Sequence, residues 1–256
     1  MIAFTRPIPS SFAQATTAIA PDPPIDVARA GAQHAAYVRA LAGLGVQVIQ
    51  LEADDRFPDG CFVEDCAVIG GGVGLITRPG AATRRGEVDS VAEALAAHGK
   101  LTALHRMEAP ATLDGGDCLR VGRTLYVGLS QRTNAAGVAR AIEVFAPHGI
   151  RVAPVPLAQL GVLHLKCVCS ALGDDRVLLA EGTIPRETFA GLDVVMIPND
   201  EAYAANCLAH GGSALVSSGF AATHETLDRA GVRVVPLETS EIRKADGALT
   251  CLSILV

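Results

Sequence analysis

Four short patches of this sequence carry side chains that could act together in nucleophilic catalysis. Cys251 could supply a thiol nucleophile, and His164, at the head of an apolar run, could supply an imidazole base. Asp114 lies in Leu-Asp-Gly-Gly-Asp, and a carboxylate beside an imidazole fixes its tautomer and raises its basicity. We predict that these three residues form a nucleophile–base–orienter set. The alternative is that each one is an ordinary core residue.

The fourth patch holds three carboxylates within a few residues, Asp59, Glu64 and Asp65. Glu64 and Asp65 are consecutive in an apolar segment that we predict to be a strand, so at least one should point into the interior or a cavity. A buried carboxylate is costly unless it meets a cation or hydrogen-bond donors. The patch therefore predicts a site for a cation such as a guanidinium, with solvated surface charge as the alternative.

Arginines precede or open two of the predicted helices, at Arg84-Arg85 and at Arg132. Guanidinium groups at two separate junctions could bind a carboxylate at the far end of the same ligand. Taken alone, each of these arginines would more often be a solvated surface residue.

The elements that must position these residues repeat five times, with a period of about 50 residues. We predict helices beginning near Asp26, Gly86, Arg132, Pro185 and Ala222. Each helix is followed by a short strand, and these strands are Val46–Leu51, Leu101–Leu104, Arg151–Val155, Val194–Ile197 and Val232–Val235. Four of the helices follow a hairpin, and the hairpins pair Cys61–Ile69 with Val73–Thr77, Asp117–Val121 with Thr124–Gly128, Leu163–Ala171 with Arg176–Ala180, and Ala204–His210 with Ser213–Ser217.

The fifth hairpin can form only if Leu249–Val256 pairs with Ile2–Thr5. Five ββαβ modules closed in this way predict an α/β fold, a pseudo-symmetric ring of repeated modules that occupies residues 1–256 as a single domain. Closure removes a free sheet edge and surrounds the axis with the first residues of the inner strands, where the polar patches lie. An ordinary open α/β sheet is the alternative, but it leaves two strands per helix unexplained. Ile8–Pro24 is predicted to be a flexible surface loop.

Composition narrows the class of protein. The chain has 256 residues, a net charge of -6 and no basic run, so we expect no nucleic acid or membrane partner. It has neither a signal-like start nor an apolar run of about 20 residues, which predicts a cytoplasmic protein. The seven cysteines are an odd number, typical of reduced thiols. All except Cys251 are predicted to be core residues, including Cys167 and Cys169, which could otherwise suggest a zinc site.

Taken together, these patches resemble dimethylarginine dimethylaminohydrolase, of the pentein or guanidine-modifying superfamily. The matching motifs occur in order along the whole chain, and they are Asp26–Ala30 with Gln33-His34, Phe57–Asp65, Ile76–Ala81, Arg84-Arg85, Thr112–Asp117, Val127–Ser130 with Arg132–Asn134, Leu163–Lys166, Tyr203–Cys207 and Asp246–Cys251. The resemblance implies the pentein fold, a five-bladed α/β propeller, in agreement with the module count.

The resemblance also implies hydrolysis of Nω-methylated arginines, both dimethyl- and monomethylarginine, to L-citrulline and a methylamine. The reaction would pass through a covalent S-alkylthiouronium and would need no metal or organic cofactor. Carried over by motif, Cys251 is the nucleophile, His164 the general acid/base and Asp114 its orienting carboxylate. A homodimer is a further expectation, and zinc is expected only as an inhibitor at Cys251 and His164.

The substrate-binding residues are also implied by the resemblance. Asp65 would grip the guanidinium, with Glu64 and Asp59 supporting it. Arg84 and Arg132 would hold the α-carboxylate. The backbone near Ala245 and Thr16 would take the α-amine.

Two alternatives stay open at this point. Arginine deiminases usually have His-x-Asp at the base motif, with the second carboxylate gripping the unmodified guanidinium, but Lys166 stands in that position here. The chain also lacks room for the extra helical domain that is common in those enzymes. The other alternative is a non-catalytic protein that binds arginine analogues, although the intact set of Cys251, His164 and Asp114 argues against it.

Overall fold

The computed structural model describes residues 1–157 and 159–256, and in these residues it contains five three-stranded sheets. The strands in this part of the chain are β1 (Ile2–Thr5), β2 (Gln47–Gln50), β3 (Ala67–Gly70), β4 (Val73–Ile76), β5 (Ala103–Arg106), β6 (Cys118–Val121), β7 (Thr124–Leu129), β8 (Arg151–Pro156), β9 (Cys169–Ala171), β10 (Arg176–Ala180), β11 (Asp193–Ile197), β12 (Leu208–His210), β13 (Ser213–Ser217), β14 (Arg233–Leu237) and β15 (Ile254–Leu255).

All five sheets share one topology. Their strand orders are β15-β1-β2, β3-β4-β5, β6-β7-β8, β9-β10-β11 and β12-β13-β14. In each sheet the first strand is antiparallel to the second, and the second is parallel to the third. Ala3 lies opposite Leu255 and Phe4 opposite Ile254, so the two ends of the chain share a sheet. The predicted ring of ββαβ modules and its closure by the terminal strands are confirmed.

The α-helices of the described residues are α1 (Val27–Gly43), α2 (Val88–His98), α3 (Ala135–Phe145), α4 (Ala221–Arg229) and α5 (Ser240–Lys244). The first four each connect the second and third strands of one sheet. The prediction of a helix beginning near Pro185 is wrong, because β10 and β11 are connected through a 3₁₀ turn at Arg186–Phe189. Gly182 and Gly191, both at positive φ, bracket this segment and leave too few residues for a stable α-helix. None of the helices in the described residues is both long and apolar enough to cross a bilayer.

The first strand of each sheet is shorter than predicted, because a 3₁₀ turn occupies part of the predicted strand. These five turns, called the axial turns below, are Val63–Cys66, Gly115–Asp117, Leu165–Cys167, Asn199–Ala205 and Thr250–Leu252. The first four axial turns contact one another in order, and the last contacts the first, so the turns surround the axis of the propeller. Buried turns carry the same apolar composition as buried strands, and hydrophobic pattern alone does not separate the two.

Helix α1 is connected to the last axial turn by a buried side-chain contact. Its N-terminus is capped by Asp26, whose side chain accepts a hydrogen bond from the Arg29 N–H. Its buried face includes Tyr37, and the Tyr37 hydroxyl lies 2.7 Å from Ser253 Oγ. Ser253 directly follows the last axial turn, so this buried contact ties that turn to the helix.

The segment Ile8–Pro24 is anchored, contrary to the prediction of a flexible surface loop. Ser10–Gln14 forms a 3₁₀ turn, and Phe12 within it is fully buried. The Phe12 ring packs edge-on against Phe62, with 5.8 Å between the ring centroids. Burying an aromatic ring of this size outweighs the loop-like composition, which was the only signal in the sequence.

Candidate active site

A small pocket lies on one face of the axial turns and gathers most of the predicted site residues. Its lining residues are Thr16, Asp59, Phe62, Asp65, Arg84, Arg132, Leu163, His164, Ala245, Asp246, Gly247 and Cys251. Eight of the ten predicted site residues are among them, and the other two are Asp114 and Glu64. The pocket is narrow, with a cavity volume of about 30 Å³.

His164 and Asp114 form the predicted pair behind the pocket wall. His164 Nε2 lies 3.0 Å from Asp114 Oδ2, and Asp114 is fully buried. The Gly80 N–H donates to the other carboxylate oxygen of Asp114 at 2.8 Å, which fixes the carboxylate. Burial lowers the pKa of His164, but Asp65 and the Asp114 hydrogen bond outweigh it and raise that pKa to about 9. At neutral pH the imidazole is therefore protonated.

The glycine pair in Leu-Asp-Gly-Gly-Asp allows the axial turns to approach closely. A Cβ atom on Gly116 would lie 2.7 Å from His164 Nδ1, and one on Gly115 would lie 1.9 Å from the carbonyl oxygen of Glu64. Either side chain would force neighbouring backbone or the imidazole to move. The sequence pattern thus reflects packing of the second turn between the first and the third.

Cys251 lies in the last axial turn and is partly exposed. Burial raises the pKa of its thiol well above the usual value, and the carboxylates of Glu64 and Asp65 raise it further. The resting thiol is therefore protonated. A cation bound beside it would oppose the effect of these carboxylates and favour the thiolate.

Asp65 is held as an ionised carboxylate in the pocket. Its Oδ1 accepts from the Gly116 N–H at 2.8 Å, and its Oδ2 accepts from Arg84 Nη1 at 2.6 Å. Burial raises the pKa of Asp65, but His164, Arg84 and the Gly116 bond outweigh it, and the pKa falls to about 2. A buried, ionised carboxylate at the bottom of a pocket is suited to binding a cationic group.

The structure gives Arg84 a different main role from the predicted one. Its Nε and Nη2 donate to the Glu87 carboxylate, Nη2 also donates to the Phe62 carbonyl, and Nη1 donates to Asp65. Four of its five N–H groups are thus committed to protein acceptors. Arg84 therefore retains a single free N–H for a ligand carboxylate, and the prediction that Arg84 and Arg132 hold this carboxylate stays a prediction.

Arg132 is the more available of the two arginines. Its side chain is 18% exposed, and its Nη1 lies 3.6 Å from Asp114 Oδ2, a loose ion pair compared with those of Arg84. A ligand carboxylate could replace or share that contact, since a guanidinium can bind two acceptors at once.

A strap formed by residues 16–18 covers the pocket. The Thr16 N–H and its hydroxyl donate to the carboxylate of Asp59 at 3.1–3.2 Å. The Ala18 N–H donates to Asp246 Oδ2 at 2.6 Å, and Asp246 sits at φ +53°. Ala245, the residue before, is buried in the lining, as predicted. The two carboxylates thus hold the strap, and a ligand ammonium would compete with Thr16 for Asp59.

Glu64 does not reach this pocket, and its predicted support of a bound guanidinium is indirect at most. It faces a second cavity of about 210 Å³ on the opposite side of the axial turns, here called the axial cavity. There Glu64 accepts from Lys166 Nζ at 2.5 Å and from Thr250 Oγ1 at 2.9 Å.

Four residues of the pocket were not predicted as site residues, namely Phe62, Leu163, Asp246 and Gly247. The Asp246-Gly247 dipeptide is a turn signal that could have marked the strap contact. Leu163 is an unusual exposed apolar side chain, 37% accessible at the pocket wall, and its exposure has no signature in sequence.

One group in the described residues has the spacing of a metal site. Ligand atoms of Asp65, Asp114 and His164 all lie within 4.8 Å of one another. However, His164 and Asp114 are hydrogen-bonded to each other, and both oxygens of Asp65 accept from Gly116 and Arg84. The arrangement is explained by these bonds without an ion.

Known proteins resemble this chain over nearly its full length. The sequence model of the family described as "N,N dimethylarginine dimethylhydrolase, eukaryotic" matches residues 20–252. The N(G),N(G)-dimethylarginine dimethylaminohydrolase of Pseudomonas aeruginosa is 38% identical over 231 residues, 90% of this chain and 89% of the relative. The protein of that name from Streptomyces coelicolor is 41% identical over 220 residues, 86% of this chain and 83% of the relative.

Solved structures give the same result. A cysteine-to-serine mutant of the Pseudomonas aeruginosa enzyme, complexed with citrulline, superposes with a TM-score of 0.92 and 35% identity, covering 99% of this chain and 98% of the other. The N-terminal domain of the cyanobacterial arginine dihydrolase ArgZ superposes with a TM-score of 0.88 at 16% identity, and this likeness shows the shared fold alone. The chain belongs to the dimethylarginine dimethylaminohydrolase family.

Proposed function

We propose that this protein hydrolyses Nω-methylated arginines to L-citrulline and a methylamine, as the names of its relatives indicate for those proteins. The observation that carries the proposal is the composition of the pocket. It places a thiol, Cys251, beside a protonated imidazole, His164, around an ionised carboxylate, Asp65. A cationic guanidinium would fit between these groups, with its carbon next to the sulfur.

The rest of the substrate would extend toward the strap. Arg132, helped by the free N–H of Arg84, would hold the α-carboxylate. Asp59 and the backbone of Ala245 would take the α-ammonium, since an ammonium donates only to acceptors. Thr16, whose N–H and hydroxyl already donate to Asp59, would yield that carboxylate to the substrate.

The first half of the reaction would begin with deprotonation of Cys251. The bound guanidinium lowers the pKa of the thiol, and the proton leaves to solvent. The thiolate attacks the guanidinium carbon and forms a tetrahedral adduct. His164, held by Asp114, gives its proton to the methylated nitrogen, the carbon–nitrogen bond breaks, and the amine leaves. A covalent S-alkylthiouronium on Cys251 remains.

In the second half, His164 is neutral and accepts a proton from water. The resulting hydroxide attacks the thiouronium carbon, the carbon–sulfur bond breaks, and Cys251 leaves as a thiolate, which takes up the proton that the new hydroxyl group releases as it becomes the urea carbonyl. The products are L-citrulline and the starting enzyme. Asp114 would hold the imidazole in one orientation through both halves, as a buried carboxylate does in other nucleophile–base sets.

An arginine deiminase-like activity is the alternative, and Lys166 argues against it. Lys166 lies on the side of the axial cavity and pairs with Glu64, so it offers no second carboxylate to an unmethylated guanidinium. Arginine would then be held on one side only, and a reactant that is poorly aligned loses rate as well as affinity.

A citrulline-release assay with dimethylarginine, monomethylarginine and arginine tests this proposal. We expect methylated substrates to be preferred over arginine by at least about 10-fold in kcat/KM, equivalent to about 1.4 kcal/mol. Equal or better activity on arginine would reassign the substrate. Release of no citrulline from any of the three would favour the non-catalytic binding protein.

Three further expectations remain predictions. They are a homodimer, a cytoplasmic location, and zinc acting only as an inhibitor at Cys251 and His164. Sedimentation would test the homodimer, and cell fractionation would test the location. Zinc inhibition would be tested by adding zinc and then a chelator, and measuring whether citrulline release recovers. Turnover is expected without added metal or organic cofactor.

A further inference from the structure

Hydrogen bonds from side chains within the axial turns, or directly beside them, connect these turns to one another. Asp65 of the first turn accepts from the Gly116 N–H of the second, and Asp117 accepts from the Leu165 N–H of the third at 3.0 Å. Thr250 of the fifth turn donates to Glu64 of the first. These bonds leave the third, fourth and fifth turns to be joined in another way.

Asn206, the residue after the fourth turn, makes that connection. Its Nδ2 donates to the Lys166 carbonyl at 3.0 Å and to Thr250 Oγ1 at 3.1 Å. Its Oδ1 accepts from the Thr250 N–H at 2.9 Å. The residue is 3% exposed and does not line the pocket, so a substrate would not touch it.

The two turns that Asn206 joins carry the reacting groups. Thr250 directly precedes Cys251, and Lys166 lies two residues after His164. A single planar amide therefore sets the spacing between the turn of the thiol and the turn of the imidazole. Only a side chain with both an N–H donor and a carbonyl acceptor can make these bonds at once.

We propose that Asn206 is a positioning residue that holds Cys251 at the distance and angle from His164 that the reaction needs. This inference rests on the proposed function, because it concerns the same thiol and imidazole. Its effect would be large, since a misplacement of about 1 Å in a site of this kind can cost about 100-fold in rate.

The test compares Asn206→Ala with Glu201→Ala. Glu201 lies in the same turn and also accepts or shares three hydrogen bonds, but these come from Ala222 and Thr223 at the start of α4, away from the pocket. Both variants remove three bonds, but Asn206 is buried and Glu201 is only partly buried, so thermal unfolding of both variants separates a loss of stability from a loss of kcat. We expect kcat for dimethylarginine to fall at least 10-fold in Asn206→Ala and less than 3-fold in Glu201→Ala, with KM within about 3-fold of wild type in both.

Alkylation of Cys251 by iodoacetamide, measured against pH, gives a second readout that does not depend on the substrate. The resting thiol is buried beside carboxylates, so a loosened turn should expose it to water. We expect Asn206→Ala to be alkylated faster and to titrate at lower pH than wild type, although it turns over more slowly. Glu201→Ala should keep the wild-type alkylation profile.

Two results would overturn the inference. One is a loss of kcat in Asn206→Ala no greater than that in Glu201→Ala, and the other is an unchanged alkylation profile. If Asn206→Ala does not fold, Asn206→Ser carries the same test, because its neutral hydroxyl is too short to bond both Lys166 and Thr250. A wild-type protein inactive on methylarginines would refute the proposed function, while the alkylation profiles would still decide the role of Asn206.

Discussion

The two faces of the axial turns differ in what they do with charge, although the same turns supply both. On the pocket face, Asp65 and His164 are ionised and surround a space that a ligand can enter. On the face of the axial cavity, Glu64 and Lys166 neutralise each other. Glu64 and Asp65 are consecutive in the sequence, and they thus lie on different faces of the axial turns. Asp65 is paired with Arg84 just as Glu64 is paired with Lys166, so the pocket face is distinguished by the imidazole and the thiol that line it together with its carboxylate.

The carboxylates on the two faces also explain why Cys251 is expected to need a bound cation to become a thiolate. Carboxylates lie on both sides of the sulfur, Asp65 in the pocket and Glu64 behind the turn, and both raise the pKa of the thiol. A thiol held protonated in the empty enzyme reacts poorly with other electrophiles. The reactive form is then expected mainly when a cation occupies the pocket.

The largest expected effect comes from a matched pair of cysteines. Cys251→Ser on the pocket face should reduce citrulline release by at least about 10⁴-fold, because a serine hydroxyl is far less acidic than a thiol. Cys207→Ser in the axial cavity should leave the rate within about 3-fold, since its partner, Ser170 Oγ at 2.9 Å, can bond a hydroxyl equally well. Turnover by Cys251→Ser within about tenfold of wild type would remove Cys251 from the nucleophile role.

The second prediction concerns the ion pair between Lys166 and Glu64 on the face of the axial cavity. Lys166→Met should lower the free energy of unfolding by about 3–5 kcal/mol, because it leaves the buried Glu64 carboxylate without its partner. The double variant Lys166→Met with Glu64→Gln should recover more than half of that loss. Urea unfolding measures both. A double variant no more stable than the single one would show that the ion pair is not what the lysine provides.

The third prediction concerns pH and the pocket face. The pKa of His164 is raised to about 9 in the folded protein, above about 6.5 in the unfolded chain. Its stabilising effect is therefore complete below about pH 6.5 and is lost as the pH rises through about 9. From this group we expect the free energy of unfolding to fall by about 3 kcal/mol between pH 6 and pH 10. A His164→Asn variant should lose clearly less over that range, and an equal loss would contradict the assignment.

The smallest expected effect separates the two arginines. Arg132→Ala should weaken substrate binding by about 1.5–3 kcal/mol with little change in stability, because it removes a charge-assisted bond to the α-carboxylate. Arg84→Ala should instead destabilise the fold, since it leaves Asp65 and Glu87 unpaired. KM values and thermal unfolding distinguish these results. If a decarboxylated analogue lost as much affinity on Arg132→Ala as the full substrate, the carboxylate role would be wrong.

Sequence reasoning succeeded where long-range pattern carries the information. The repeat of about 50 residues led to the five sheets, and the need for a fifth hairpin led to the pairing of β15 with β1. The motif residues of the pocket were found because their chemistry is unusual in apolar surroundings. The spacing of Asp114 and His164 by one module was enough to predict their contact.

Sequence reasoning failed where the position of a side chain depends on local backbone geometry. A strand over Cys61–Ile69 and a 3₁₀ turn at Val63–Cys66 have the same apolar pattern, so the sequence did not distinguish them. The commitment of Arg84 to Glu87 was also hidden, because a solvated pair at this spacing and a buried one share the same sequence. Such choices are made by tertiary packing.

The closure of the sheet ring has a consequence for how activity arises during folding. Asp65, Asp114, His164 and Cys251 come from four different modules, and the last of them precedes the strand that pairs with β1. No contiguous part of the chain that omits a module could hold the complete set. Pairing of segments so distant in sequence is usually slow to form. Recovery of catalysis after refolding would therefore report the pairing of the terminal strands β15 and β1, an event that helix content alone would not reveal.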